Sequence, residues 1–105
     1  MNDQFRDKVV FITRGARGIG KGTAEVFSER GAKLAISDLD GEELERLETE
    51  FSSKGTEIIA DKVDVTVKKD IEEFVKRTIN EFGKIDVCVP NAGAIGSSGF
   101  SDRKD

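Results

Sequence analysis

The chain contains no histidine, no tyrosine and no tryptophan, and only one cysteine, one proline and one methionine. Each absence removes a class of chemistry. Without histidine there is no Ser–His or Cys–His nucleophile and no histidine metal site. Without tyrosine there is no phenolic acid/base. The single thiol, Cys88, cannot close an internal disulfide, which fits a reducing cytosol. No apolar run approaches a membrane span, and Met1 to Lys8 carries no apolar signal core, so a soluble cytoplasmic protein is expected. With a net charge of −4, a general nucleic-acid-binding surface is not expected either.

What is abundant is glycine in one place. Val9-Val10-Phe11-Ile12-Thr13 is a short, unbroken apolar run that suits a strand buried on both faces. Arg14-Gly15-Ala16-Arg17-Gly18-Ile19-Gly20 follows, with three glycines within six residues, and then a helix-like segment to Arg30. Glycines directly after a buried strand allow a sharp turn and a close approach of backbone to a bulky anion. The next helix turns unpaired N–H groups and a partial positive charge toward that anion. The stretch reads as a dinucleotide-binding turn, and the plainer alternative is a flexible strand–turn–helix corner.

Downstream, the first helix is expected to carry Ile19, Val26 and Phe27 along one face, with Ala24 for close packing, and to stop at Gly31. Lys33 to Asp38 is a second strand closing on a carboxylate. Asp40 and Glu43 have capping-box spacing, and Leu44, Leu47 and Phe51 form the apolar face of a second helix ending at Gly55. A third strand lies within Thr56 to Val65. A third helix begins near Thr66, with Ile71, Phe74, Val75, Ile79 and Phe82 as its core stripe, and ends at Gly83. Ile85 to Val89 is a fourth strand, and Pro90, lacking an N–H, stops its ladder. Cys88 reads as a buried small apolar residue of that strand. This alternation predicts an α/β fold: a Rossmann-like parallel sheet with strand order 3-2-1-4, the first half of a doubly wound fold. Residues 1–93 form the half domain, and 94–105, which have no periodicity, form a loop or truncated tail. The fourth strand's uncovered edge adds the expectation that the chain is a fragment or truncated product of a larger protein.

These motifs together resemble the N-terminal part of a classical short-chain dehydrogenase/reductase. The family's Thr-Gly-x-x-x-Gly-x-Gly aligns with Thr13 to Gly20. The resemblance continues through Asp38, Asp64-Val65-Thr66, Gly83-Lys84-Ile85-Asp86 and Asn91-Ala92-Gly93. It implies that Gly18, Ile19 and Gly20 form the pyrophosphate turn and that Thr13 braces the first strand. Asp38 would accept hydrogen bonds from the adenosine ribose hydroxyls, and Asp64 would meet the adenine amino group with Val65 beside it. Asn91, Ala92 and Gly93 would line the sheet edge near the nicotinamide-side ribose. Plainer readings stand beside these: Asp38 as a solvated strand end, Asp64 as a partner for donors at the next helix start, Asn91 as a turn residue.

Two positions depart from the family pattern. Arg14 stands where the first glycine belongs, with Gly15 adjacent to take over part of its flexibility, and Pro90 stands where a first asparagine is common. Charge argues for NAD over NADP, because Asp38 repels a 2′-phosphate. Arg17 is a base of the sort that favours that phosphate in some relatives, but Leu39, after Asp38, adds no second cation. The resemblance implies hydride transfer between nicotinamide and a secondary alcohol or ketone, in a full-length protein that forms homo-oligomers. The family's Tyr-x-x-x-Lys acid/base pair is not among these residues, so the chain by itself is expected to be inactive. The alternatives are a non-catalytic dinucleotide-binding module and an inactive truncated product.

Overall fold

A computed structural model describes residues 3–90. In chain order the elements are β1 (Val9–Thr13), α1 (Gly18–Glu29), β2 (Lys33–Asp38), α2 (Gly41–Ser53), β3 (Ile58–Lys62), α3 (Lys68–Phe82) and β4 (Val87–Pro90). The four strands are parallel and lie in the order β3-β2-β1-β4, as the alternation of strand and helix implied.

β1 runs through the middle of the sheet, and all five of its residues are buried. Its side chains alternate between two cores. Val10 and Ile12, with Leu34 and Ile36 of β2, pack against Ala24 of α1 and Leu44, Leu47 and Phe51 of α2. Phe11, Ala35, Ile59 and Val63 pack on the other face against Phe74 of α3. A continuous apolar strand is needed because helices cover both faces. Each large side chain so buried contributes about 1.5–3 kcal/mol.

The helix ends follow from their glycines. After α1, Ala32 N–H donates to Phe27 O (3.1 Å) and Gly31 N–H to Ser28 O (3.1 Å). After α2, Thr56 N–H donates to Phe51 O (3.0 Å) and Gly55 N–H to Ser52 O (2.9 Å). Both are Schellman endings, with Gly31 and Gly55 at φ of 93° and 89°.

Several local expectations are corrected. The buried face of α1 is Gly20, Ala24 and the partly buried Phe27, while Ile19 and Val26 are exposed. Small residues at this spacing let the helix lie close to the sheet. In α3 the buried partner of Phe74 is Thr78, whose hydroxyl donates to Phe74 O (2.8 Å), and Ile79 is exposed. Satisfying the hydroxyl within its own helix removes the cost of burying it. β3 is shorter than expected, ending at Lys62, although Val63 N–H still donates to Asp38 O (2.9 Å). β4 is shorter as well, starting at Val87, and Pro90 lies within it as the last described residue, opposite Thr13. Cys88 is exposed rather than buried, because β4 is the sheet's edge among the described residues.

Candidate functional site

The carboxyl ends of β1, β2 and β3 bring the connecting segments 14–17, 39–40 and 63–67 to one edge of the sheet. The first of these turns the chain from β1 into α1 in four residues. Arg14 itself adopts the left-handed conformation, at φ 55°, and Gly15 is not among the glycines with positive φ. Gly15 therefore does not take over the turn. Its lack of a side chain serves packing instead: a Cβ there would lie 2.7 Å from Ile36 Cγ2 and 3.0 Å from Ile12 Cγ2. Gly18, at φ 62°, opens α1, and a Cβ there would meet nothing within 4 Å.

Exposure alternates through the turn. Gly15 and Ala16 are buried, Arg17, Gly18 and Ile19 face solvent, and Gly20 is buried again. Ile19 is 80% exposed, Leu39 55% and Val67 41%, so three apolar side chains stand in solvent at this edge. The N-cap residue of α1, Arg17, makes no side-chain capping bond, and no acidic residue lies in the helix's first turn. α2 differs: Asp40 Oδ1 accepts from Glu43 N–H (3.1 Å), and Glu42 and Glu43 occupy its first turn. The reciprocal half of the capping box is not formed. Asp40 N–H donates to Asp38 Oδ1 (3.1 Å), and the Glu43 carboxylate pairs with Arg46.

Asp38, the last residue of β2, is more than a solvated strand end. Its Oδ2 accepts from Ala16 N–H (3.0 Å), and its Oδ1 accepts from the N–H groups of Leu39 (2.7 Å) and Asp40 (3.1 Å). Gly15 N–H also donates to Ser37 O (3.0 Å). The glycine turn is thus pinned to the end of β2 by a backbone bond and a carboxylate. A carboxylate offers about four acceptor positions, so three backbone donors leave about one for another partner.

Arg17 is the N-cap residue of α1, with extended backbone, and its guanidinium pairs with Asp40 Oδ2. The Asp40 carboxyl is held below its usual range, first by the Glu43 N–H and then by Arg17. Asp64 accepts from the hydroxyl of Thr66 (2.6 Å) and from its N–H (2.9 Å). These bonds, the hydroxyl first, lower its pKa. They match the plainer reading of Asp64, a partner for donors ahead of α3, and Val65 lies between the two residues. Thr13 Oγ1 and Ser37 Oγ, on paired positions of β1 and β2, are buried without a hydrogen-bond partner among the described residues. Asn91, Ala92 and Gly93 lie outside the described residues.

The structure therefore brings Thr13, Gly15, Arg17, Gly18, Ile19, Gly20, Asp38 and Leu39 to one sheet edge, with Asp64 and Val65 after β3 on the same edge. Asp40 was missed as a member of this group. Its capping role is local and visible in the sequence, but its pairing with Arg17 spans 23 residues. Only the pairing of β1 with β2 places the two together.

Comparison with known proteins agrees with this arrangement. The short chain dehydrogenase family model matches residues 8–105. A (2S)-[(R)-hydroxy(phenyl)methyl]succinyl-CoA dehydrogenase subunit of Thauera aromatica is 40% identical over 85% of this chain and 36% of its own length. A diacetyl reductase [(S)-acetoin forming] of Staphylococcus epidermidis is 42% identical over 82% of this chain and 34% of its own. The chain thus spans about a third of the length of these curated relatives. A crystal structure of a short-chain dehydrogenase/reductase from Brucella melitensis superposes with a TM-score of 0.81 at 34% identity, over 90% of this chain and 39% of that one. One from Burkholderia phymatum, in complex with NAD, gives 0.78 at 28% identity over 84% and 31%. With its parallel sheet, its glycine turn and a family match across nearly its whole length, the chain belongs to the short-chain dehydrogenase/reductase family of oxidoreductases.

Proposed function

We propose that this chain is the NAD-binding part of a dehydrogenase/reductase acting on a secondary alcohol or ketone. The observation that carries the reading is the start of α1. There Gly18 turns with positive φ into a helix whose N-cap residue makes no side-chain capping bond and whose first turn has no acidic residue, beside a carboxylate fixed at the tip of β2. Uncapped N–H groups at a helix start suit a phosphate, and open space over Gly18 fits a bulky one. Asp38, with about one acceptor position left, suits a single ribose hydroxyl and opposes a 2′-phosphate. Ile19 and Leu39 offer apolar contact to the flat rings of a dinucleotide.

When bound, the nicotinamide would supply the hydride-transfer chemistry. The residues described here would hold and orient it: Gly18, Ile19 and Gly20 at the pyrophosphate, Thr13 and Gly15 keeping the turn seated, and Asp38 at the adenosine ribose. Asp64 and Val65 would lie toward the adenine, and Asn91, Ala92 and Gly93 toward the nicotinamide-side ribose. The proton-transferring groups of the family are not among these residues, so catalysis in this reading belongs to a longer protein, cytoplasmic and homo-oligomeric.

Isothermal titration calorimetry of the protein with NAD+ and NADP+ tests the reading. Saturable binding with NAD+ preferred is expected. Failure of both dinucleotides to bind folded protein overturns it.

A further inference from the structure

The guanidinium of Arg17, the residue before Gly18, is paired rather than left to solvent. Arg17 pairs with Asp40, joining the start of α1 to the start of α2. The two partners are not equally free. Asp40 is held by backbone on two sides: its Oδ1 takes Glu43 N–H (3.1 Å), and its own N–H donates to Asp38 Oδ1 (3.1 Å). The Arg17 side chain is two-thirds exposed and pairs with this carboxylate through its guanidinium. The carboxylate is therefore the fixed post and the guanidinium the group that is held.

We propose that Asp40 is a specificity-determining residue, keeping Arg17 against α2 and away from a phosphate on the adenosine ribose. The proposal rests on the dinucleotide-binding reading above and deepens it. Asp38 and Asp40 place two carboxylates at the edge where a 2′-phosphate would arrive, and Arg17 is the cation that would welcome it. While Arg17 neutralises Asp40, the Asp38 carboxylate remains to oppose the extra phosphate, and a dinucleotide without it is preferred. Removing the Asp40 carboxylate has two effects of one sign. It frees the guanidinium, and it deletes a repulsive charge. The pair is exposed and holds Arg17 only modestly, so the gain in NADP+ affinity is about threefold to tenfold rather than larger.

The test measures the dissociation constants of NAD+ and NADP+ by calorimetry for four proteins: wild type, Asp40→Ser, Arg17→Ala and the double variant. Serine retains an oxygen that can cap α2 but cannot reach Arg17. Asp40→Asn serves as a second variant that keeps the acceptor and removes the charge, and a thermal melt confirms that each protein is folded. In Asp40→Ser, the ratio of NADP+ to NAD+ affinity is expected to rise about threefold to tenfold, and the rise is expected to be smaller in the double variant, where only the loss of the repulsive charge remains. Binding of NAD+ with an unchanged preference in both Asp40 variants overturns the role of Asp40. A gain of undiminished size in the double variant overturns the release of Arg17 as a cause. If wild type and every variant bind neither dinucleotide, the dinucleotide-binding reading fails and the proposal falls with it.

Discussion

Arg14 carries the largest departure from family pattern, and its φ of 55° makes the consequence calculable. A side chain other than glycine in the left-handed region costs about 1–2 kcal/mol. Glycine removes that cost but adds freedom to the unfolded chain worth about 0.4–1 kcal/mol. The net gain expected for Arg14→Gly over Arg14→Ala is therefore about 0.5–1 kcal/mol. For a domain of this size that raises the melting temperature by about 2–8 °C. The comparison is made against alanine because whatever the guanidinium contributes is lost equally in both variants. Thermal denaturation followed by circular dichroism reads the difference, and calorimetry with NAD+ reads its functional side, where the glycine variant is expected to bind more tightly than wild type. If the glycine and alanine variants melt together, the left-handed strain assigned to Arg14 is wrong. Equal NAD+ affinities in the glycine variant and wild type would show that the strain, even if present, does not reach the cofactor edge.

Gly15→Ala forces a methyl group to within 2.7 Å of Ile36 Cγ2 and 3.0 Å of Ile12 Cγ2. Both isoleucines are fully buried, so overpacking is expected to cost about 1–3 kcal/mol in urea denaturation, and an unchanged midpoint would contradict it. Asp38→Ala leaves Ala16 N–H without its acceptor and removes the charge at the tip of β2. It is expected both to lower the melting temperature and to relax the preference for NAD+ over NADP+. An unchanged affinity ratio would count against the ribose role. The carboxyls of Asp40, Asp64 and Asp86 are held below their ordinary 3.8, that of Asp86 chiefly by Val9 N–H at 2.8 Å. Groups whose folded pKa is depressed add stability above the unfolded value and lose it as pH falls through the folded one. Stability is thus expected to decline as pH drops below about 3.8, and less steeply in Asp86→Asn; identical pH profiles would refute that assignment.

The sheet was readable because its signals are local. Gly31 and Gly55 stop helices whose partners lie within one turn, and the run from Val9 to Thr13 announces a strand covered on both sides. The faces of α1 and α3 were less readable. Ile19 and Val26 are more apolar than Gly20 and Ala24, yet closeness to the sheet selects the small residues. Thr78 rather than Ile79 stands one turn after Phe74 on the buried face, and its hydroxyl is satisfied there by Phe74 O. At the site, the position of Asp38 at the end of β2 follows from local pattern, whereas its bond to Ala16 and the pairing of Arg17 with Asp40 depend on two strands lying side by side. Such contacts join residues that no local pattern relates. The same holds for Gly15, whose need to be small is set by a methyl group of the neighbouring strand.

The central position of β1 also has a consequence in time. It is synthesised before the other three described strands, and β2 can pair with it soon afterwards, but its other neighbour is the last of the four. Asp86, which anchors Val9 from that side, lies 77 residues further along the chain. At ribosomal speeds of about 5–20 residues per second, one flank of the most apolar strand waits roughly 4–15 s for its partner. The nascent protein spends that interval with an open strand edge, the stage at which pairing with another chain competes most directly with folding.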